Sequence, residues 1–416
     1  MTINLEVPRK FDGLIAQAHQ AAAEVLRPNS RRYDTAEHER PKELDMLAAL
    51  IDGMNEGGQM NGAGASGTGS RGGDALNGNG PSDDAQATRN GTNMATLLGL
   101  IEMCWGDVGM LLAMPRQGLG QAAIAAVADD EQMKRFGGKW AAMAITEPEA
   151  GSDSAAIRTT AVYDEVTGEY VLNGEKIYVT SGDRAELIVI WATLDRSAGR
   201  GAIKSFVVER DNPGLRLDRL EHKLGIRASD TANFVLQDCR VPKENLLGSP
   251  EVQEAKQGFA GVMKTFDNTR PLVAGMAVGV ARACLERTRA ILAEAGVEID
   301  YDAPPNLQTA AAAEFIAMES DWEAARLLTL QAAWMADNKV PNSLQASMAK
   351  AKAGRMGTDV ALRCVALCGA AGLGEGELLE KWARDAKILD LFEGTQQIQL
   401  LIVARQLLGL SSAQLR

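Results

Sequence analysis

Apolar residues recur at helical spacing from the start of the chain. Phe11, Leu14, Ile15, Ala18, Ala22, Val25 and Leu26 share one face, and Pro28 is the expected stop. A second helix is expected over residues 41–54, then helical stretches over 94–104, 108–128 and 130–136, with Gly137-Gly138 breaking the pattern. From Trp140 onward the apolar period shortens from about 3.6 residues toward about 2. Short runs such as Tyr170-Val171-Leu172, Lys176 to Thr180, Leu187 to Trp191, Ser205 to Val208 and Ala232 to Leu236 are separated by Gly, Asn and Asp turns. That pattern predicts a small β-barrel or sandwich ending near Leu247. After Gly248 helical spacing returns in four or five long segments, which points to an antiparallel bundle. The expected fold class is α+β, mainly α: an N-terminal α-helical domain (1–138), a middle β domain (139–247) and a C-terminal α-helical bundle (248–416).

One stretch fits neither period. Residues 55–93 are dominated by Gly, Asn, Ser, Thr and Asp, too poor in apolar side chains to build a core, and read as a flexible insertion. Its Gly62-to-Gly67 run lacks the preceding strand and following helix that a phosphate-binding loop requires. The net charge of −12 argues against nucleic acid as a partner, although local Arg and Lys can still line a site for a phosphorylated ligand. Five cysteines form no disulfide-scaffold pattern and point to a reducing compartment. His19, His38 and His222 are too scattered in sequence to suggest a metal site. No run of 18 apolar residues exists and the N-terminus has no signal-peptide core, so neither a membrane span nor export is expected and a cytoplasmic protein is the default.

The chemistry concentrates near the C-terminus. Glu393 stands in a Phe-Glu-Gly-Thr turn before a helix carrying Leu400, Val403, Ala404, Leu407 and Leu408 on one face, with Thr395 available as N-cap. Gly394 allows a tight turn and close approach to a ligand. A carboxylate flanked by Leu389, Leu391 and Phe392 should lose hydration, which lifts its pKa toward the range of a general base. On these residues alone a solvated loop glutamate before a capped helix is the competing reading. Far away, Thr146, Ser152, Tyr178 and Thr180 place short hydroxyls and an aromatic face on neighbouring segments of the β domain. Asp267 and Arg270 lie three apart on one helix, suited either to an ion pair or to presenting a guanidinium fork to a phosphate.

Four stretches in register, AITEPEAGSD (144–153), NGEKIYVTSG (173–182), FDNTRP (266–271) and RDAKILDLFEGTQQIQLLIVAR (384–405), resemble the flavin-dependent acyl-CoA dehydrogenase family over roughly residues 95–410. The resemblance implies the same order of helical, β and helical domains. It implies FAD as cofactor, with Met143, Ile145, Thr146, Tyr178, Val179 and Thr180 against the flavin ring and Gln308, Thr395 and Gln397 as contacts to its tail. Ser152 would border both flavin and substrate; Asp267, Arg270 and Gly394 would contact an acyl-CoA. Glu393 would be the base, since the position some branches use instead carries Thr269. The reaction implied is α,β-dehydrogenation of an acyl-CoA thioester to the 2-enoyl-CoA, with electrons passed to an electron-transfer flavoprotein and a homotetramer or dimer as the assembly.

The chain departs from the family in three places. The Gly-rich insertion replaces helical structure expected over the acyl pocket. Glu294 to Asp300 is acidic and lacks the Arg that reaches a neighbouring subunit's flavin pyrophosphate, and Ala366 to Ala370 alters a second flavin contact. These changes keep open a hetero-oligomer with a related subunit and incomplete flavin sites. An O₂-using acyl-CoA oxidase is the other alternative.

Overall fold

The computed structural model describes residues 7–56, 91–116, 119–252, 260–411 and 414–415. Most of the Gly-rich stretch, 57–90, lies outside the described residues, as do the side chains of 260–268 and with them that of Asp267.

Helices α1 (Asp12–Ala21) and α2 (Arg27–Thr35) run on through a π-helical turn at Ala22–Leu26. Pro28 therefore does not stop the chain as expected. The wider turn, in which the Arg27 N–H reaches Ala22 O, puts Pro28 in the first turn of α2, where a missing N–H costs nothing. After α3 (Glu43–Glu56) comes α4 (Thr92–Leu112), followed by α5 (Leu119–Val127) and α6 (Asp130–Phe136). Asp107 takes an extended φ of −165° inside α4 and accepts from Met110 N at 2.7 Å, restarting the helix across a kink. The single helix expected over 108–128 is thus divided between α4 and α5. By length and composition α4 could cross a bilayer, contrary to the expectation that nothing qualifies; yet 94% of its most apolar window is buried inside the protein.

The β region comprises β1 (Ala141–Ala144), β2 (Thr160–Asp164), β3 (Glu169–Thr180), β4 (Leu187–Thr193), β5 (Ile203–Glu209), β6 (Leu215–Leu220), β7 (Thr231–Pro242) and β8 (Leu246–Leu247). The sheet runs β6-β7-β3-β2-β4-β5-β8, with β1 parallel to β4. Every residue of β4 is buried because both its faces are covered. Ile188, Ile190 and Ala192 enter a core with Phe206 and Phe234 inside the curved sheet, whereas Leu187, Val189 and Trp191 pack with Ile124 and Phe136 under α5 and α6.

The C-terminal helices are α7 (Ala260–Glu294), α8 (Ala310–Asp337), α9 (Ser343–Cys368), α10 (Ala370–Leu373), α11 (Leu379–Ala386) and α12 (Gln396–Leu408). Helices from both ends of the chain share one apolar core: α4 packs on α7, and α7 on α8 and α9. The α4–α7 crossing is close enough that a Cβ at Gly279 would lie 2.4 Å from Ile101 O. A buried ionic node fastens the β region to this core. Lys381 Nζ on α11 reaches Asp107 at 2.7 Å and Asp385 at 2.5 Å, and Asp385 accepts from Ile226 N in the β6–β7 loop. Ser30 of α2 also donates to Asp107.

Candidate active site

Glu393 follows a short 3₁₀ turn, Lys387–Asp390, and precedes α12, which Thr395 caps by accepting from Ile398 N. Its φ is 56° and that of Gly394 is 89°, so two consecutive residues occupy the left-handed region. For Gly394 this is free of strain, and a Cβ there would lie 2.5 Å from Gln399 Nε2. For Glu393 it is strained, the kind of backbone that persists only when its surroundings hold it. Three side chains do so. Lys350 Nζ, from α9, donates to Gly394 O at 2.7 Å; Gln399 Nε2 donates to both Glu393 O and Gly394 O at 3.2 Å; Thr269 Oγ1, from α7, donates to Glu393 Oε2 at 3.1 Å.

Burial pushes the Glu393 carboxyl above its ordinary 4.5, against the Thr269 hydrogen bond and the charges of Lys350 and Arg270. Burial likewise brings the Lys350 amine down to about 8, opposed by Asp390 and Glu393. The apolar surroundings differ in one respect from expectation: Leu389 is buried and Phe392 half-buried, but Leu391 is 44% exposed and does not shield the acid. Arg270 is only 3% exposed, and its charge acts on Glu393 and Lys350.

The second group lies on the β region. Tyr178 N donates to Asn233 Oδ1 at 3.0 Å instead of joining the ladder, because β3 and β7 lose register between Lys176 and Val179. This bulge gives Tyr178 a φ of 58° and turns its ring outward, 62% exposed. Thr180 in β3 and Met143 in β1 are half-buried on the same sheet, as is Thr146 just after β1, and Ile177 N donates to Thr146 O at 2.9 Å, binding the 146 segment to β3. Buried Lys176 reinforces that junction by reaching Glu147 at 2.6 Å and Ile145 O at 3.2 Å. The side chains of Val179 and Ile145 are core residues, in the two clusters described above, which leaves their backbone to face a ligand. Ser152 and Gln397 are exposed. The Gln308 amide is engaged within its own loop by Asp300 O and Ala303 O.

The two groups are tied by packing. Ser181 Oγ, next to Thr180, reaches Leu112 O at the end of α4, and the 224–226 loop lies against α11, the helix that leads to Glu393. Lys350 escaped the sequence reading, although its position on the Ala346, Ala349 and Ala353 face of α9 was a signal, since a charge on an apolar face needs a partner.

Residues 142–239 match the acyl-CoA dehydrogenase middle domain and residues 256–408 the acyl-CoA dehydrogenase C-terminal domain. The chain belongs to the acyl-CoA dehydrogenase family. It is 39% identical over 276 residues to the rat mitochondrial short-chain specific acyl-CoA dehydrogenase, a match spanning 65% of this chain and 64% of that protein. It is 36% identical to the acryloyl-CoA reductase (NADH) of Anaerotignum propionicum, over 65% of this chain and 67% of the relative. The butyryl-CoA dehydrogenase structure from Megasphaera elsdenii superposes with a TM-score of 0.80 at 28% identity, covering 98% of this chain and 100% of that one. These acyl-CoA dehydrogenases share the three-part arrangement of helices, sheet and helices.

Proposed function

We propose that this chain is an FAD-dependent acyl-CoA dehydrogenase that desaturates the α and β carbons of a short acyl-CoA thioester, with Glu393 as base and an electron-transfer flavoprotein as the downstream acceptor. The observation that carries the reading is the environment of Glu393: a carboxyl on strained backbone, held by Thr269 and Lys350, with its pKa lifted by burial. The short-chain preference rests on the similarity to the short-chain and butyryl-CoA dehydrogenases.

The donor set on the β region fits a flavin. An outward aromatic at Tyr178, flanked by the hydroxyls of Thr146 and Thr180, offers a stacking face and polar partners to a flat ring with polar edges. FAD, when bound, supplies a two-electron acceptor for the hydride leaving the β carbon. The chain's own work is proton chemistry. Glu393 takes the α proton, and a lifted pKa makes it a better match for a weak carbon acid than an ordinary carboxylate. Thr269 holds one carboxylate oxygen, leaving the other to receive the proton. Lys350 fixes the Gly394 carbonyl and so the direction of the turn. The backbone N–H of Glu393 polarises the thioester oxygen as charge develops there. A second reading, reduction of a 2-enoyl-CoA by the same groups in reverse, draws on the likeness to the acryloyl-CoA reductase.

The test is turnover of butyryl-CoA with an artificial electron acceptor, alongside flavin absorbance per protomer and a peroxide assay. Dehydrogenation in the wild type and its loss by orders of magnitude in Glu393→Gln, with flavin retained, is the expected result. Full activity in Glu393→Gln would remove the base assignment. Peroxide as the stoichiometric product would make the chain an oxidase, and substoichiometric flavin would favour a hetero-oligomer.

A further inference from the structure

Two of the three histidines, distant in sequence, meet in the fold. His38 follows α2, and His222 follows β6; with Glu37 they place one ligand atom each within 4.8 Å of one another. His222 Nδ1 lies 2.9 Å from Glu37 Oε2, between residues 185 apart in sequence, and the two imidazole rings are 5.0 Å apart. Both ring nitrogens of His38 are shielded from solvent without a hydrogen-bond partner among the described residues. A half-buried imidazole left with two unmet polar atoms is a cost that needs a reason.

We propose that Glu37, His38 and His222 form a binding site for a divalent transition-metal ion of the zinc class. Two imidazoles and one carboxylate are the donor set that suits such an ion and discriminates against calcium or magnesium, which prefer all-oxygen shells. Metal–ligand distances of about 2.0–2.1 Å put tetrahedral donors roughly 3.3 Å apart, so only a small swing of the rings is needed. The ammonium of the adjacent Lys223 is engaged outside the cluster, its Nζ donating to Ser229 O at 2.7 Å. Lys223 N keeps the second Glu37 oxygen in place at 2.8 Å, as an outer support for a ligating carboxylate. The ion would clip the segment after α2 to the β6–β7 loop, a junction remote in sequence from Glu393.

The experiment is calorimetric titration of the chelator-treated full-length protein with ZnCl₂, with CaCl₂ as control, and the visible spectrum after adding Co²⁺. One zinc per chain, a Zn-dependent rise in melting temperature, and loss of at least about tenfold in affinity in both His222→Ala and His38→Ala are expected. His222 has an 83% exposed side chain, so His222→Ala keeps the fold and decides the matter even if His38→Ala does not. No zinc binding, or zinc binding with the same affinity in His222→Ala, overturns the site.

Discussion

Thr269 Oγ1 donates to Glu393 Oε2 at 3.1 Å across 124 residues of sequence, joining α7 to the turn before α12. The hydroxyl from α7 and the acid from the other end of the bundle thus face the same point. Burial and this hydrogen bond act oppositely on the carboxyl, and burial prevails.

Removing the hydroxyl should therefore move the acid limb of the activity profile. In Thr269→Val the carboxylate loses a donor that favours its charged form, and its pKa rises further. Activity must fall as pH drops through that pKa, so kcat/KM near pH 6 should drop by about tenfold while the alkaline plateau stays close to wild type. A pH–rate profile with an unmoved acid limb would show that Thr269 does not tune the base.

Glu393→Gln tests the same burial through stability. A carboxyl whose folded pKa is raised stabilises the native state fully below its unfolded value and loses that contribution as pH rises through the folded one. As pH rises through the raised pKa the native chain takes on a half-buried anion that the amide removes, while the amide oxygen still accepts from Thr269. Thermal melts should show the variant gaining on wild type between pH 4 and pH 8, on the order of 1 °C per kcal/mol for a chain of this length. A gap independent of pH would mean that the carboxyl is not desolvated in solution.

Lys350 is the residue whose loss should matter most among those outside the family's motifs. In Lys350→Met the Gly394 carbonyl loses its shortest donor, and Glu393 loses a cation that lowers its pKa. We expect kcat to fall by about 10–100-fold, with the acid limb displaced upward. A fall in kcat with no change in the limb would assign Lys350 a purely mechanical role.

These groups mark where sequence reading reaches and where it stops. The apolar run of Leu187 to Trp191 announced a strand, and Thr395 announced its cap, because both effects act within a few residues. The outward turn of Tyr178 was not legible, since it depends on a register slip against β7 that neither strand encodes alone. The burial of Arg270 is likewise not legible in the Asp267–Arg270 spacing, yet α7 encloses it where its charge acts on Glu393. His38 and His222 were discounted for their separation, which the fold closes. In each case the missing information is a tertiary distance, and the only sequence hint was a polar residue standing on an apolar face, as at Lys350.

Lys381 is fully enclosed between Asp107 and Asp385. The two carboxylates raise its pKa despite burial, so the cation persists across the neutral range and its contribution is lost only at strongly alkaline pH. Lys381→Met would leave two buried acids facing each other and should destabilise by about 3–5 kcal/mol, measured by urea unfolding at pH 7. The Asp107→Asn and Asp385→Asn changes added to it should recover most of that loss. Each amide oxygen can still accept, from Met110 N and Ile226 N respectively, while the unpaired charges disappear. If the triple variant stays as unstable as Lys381→Met, the node holds the β6–β7 loop to α11 through its geometry rather than through compensation of charge.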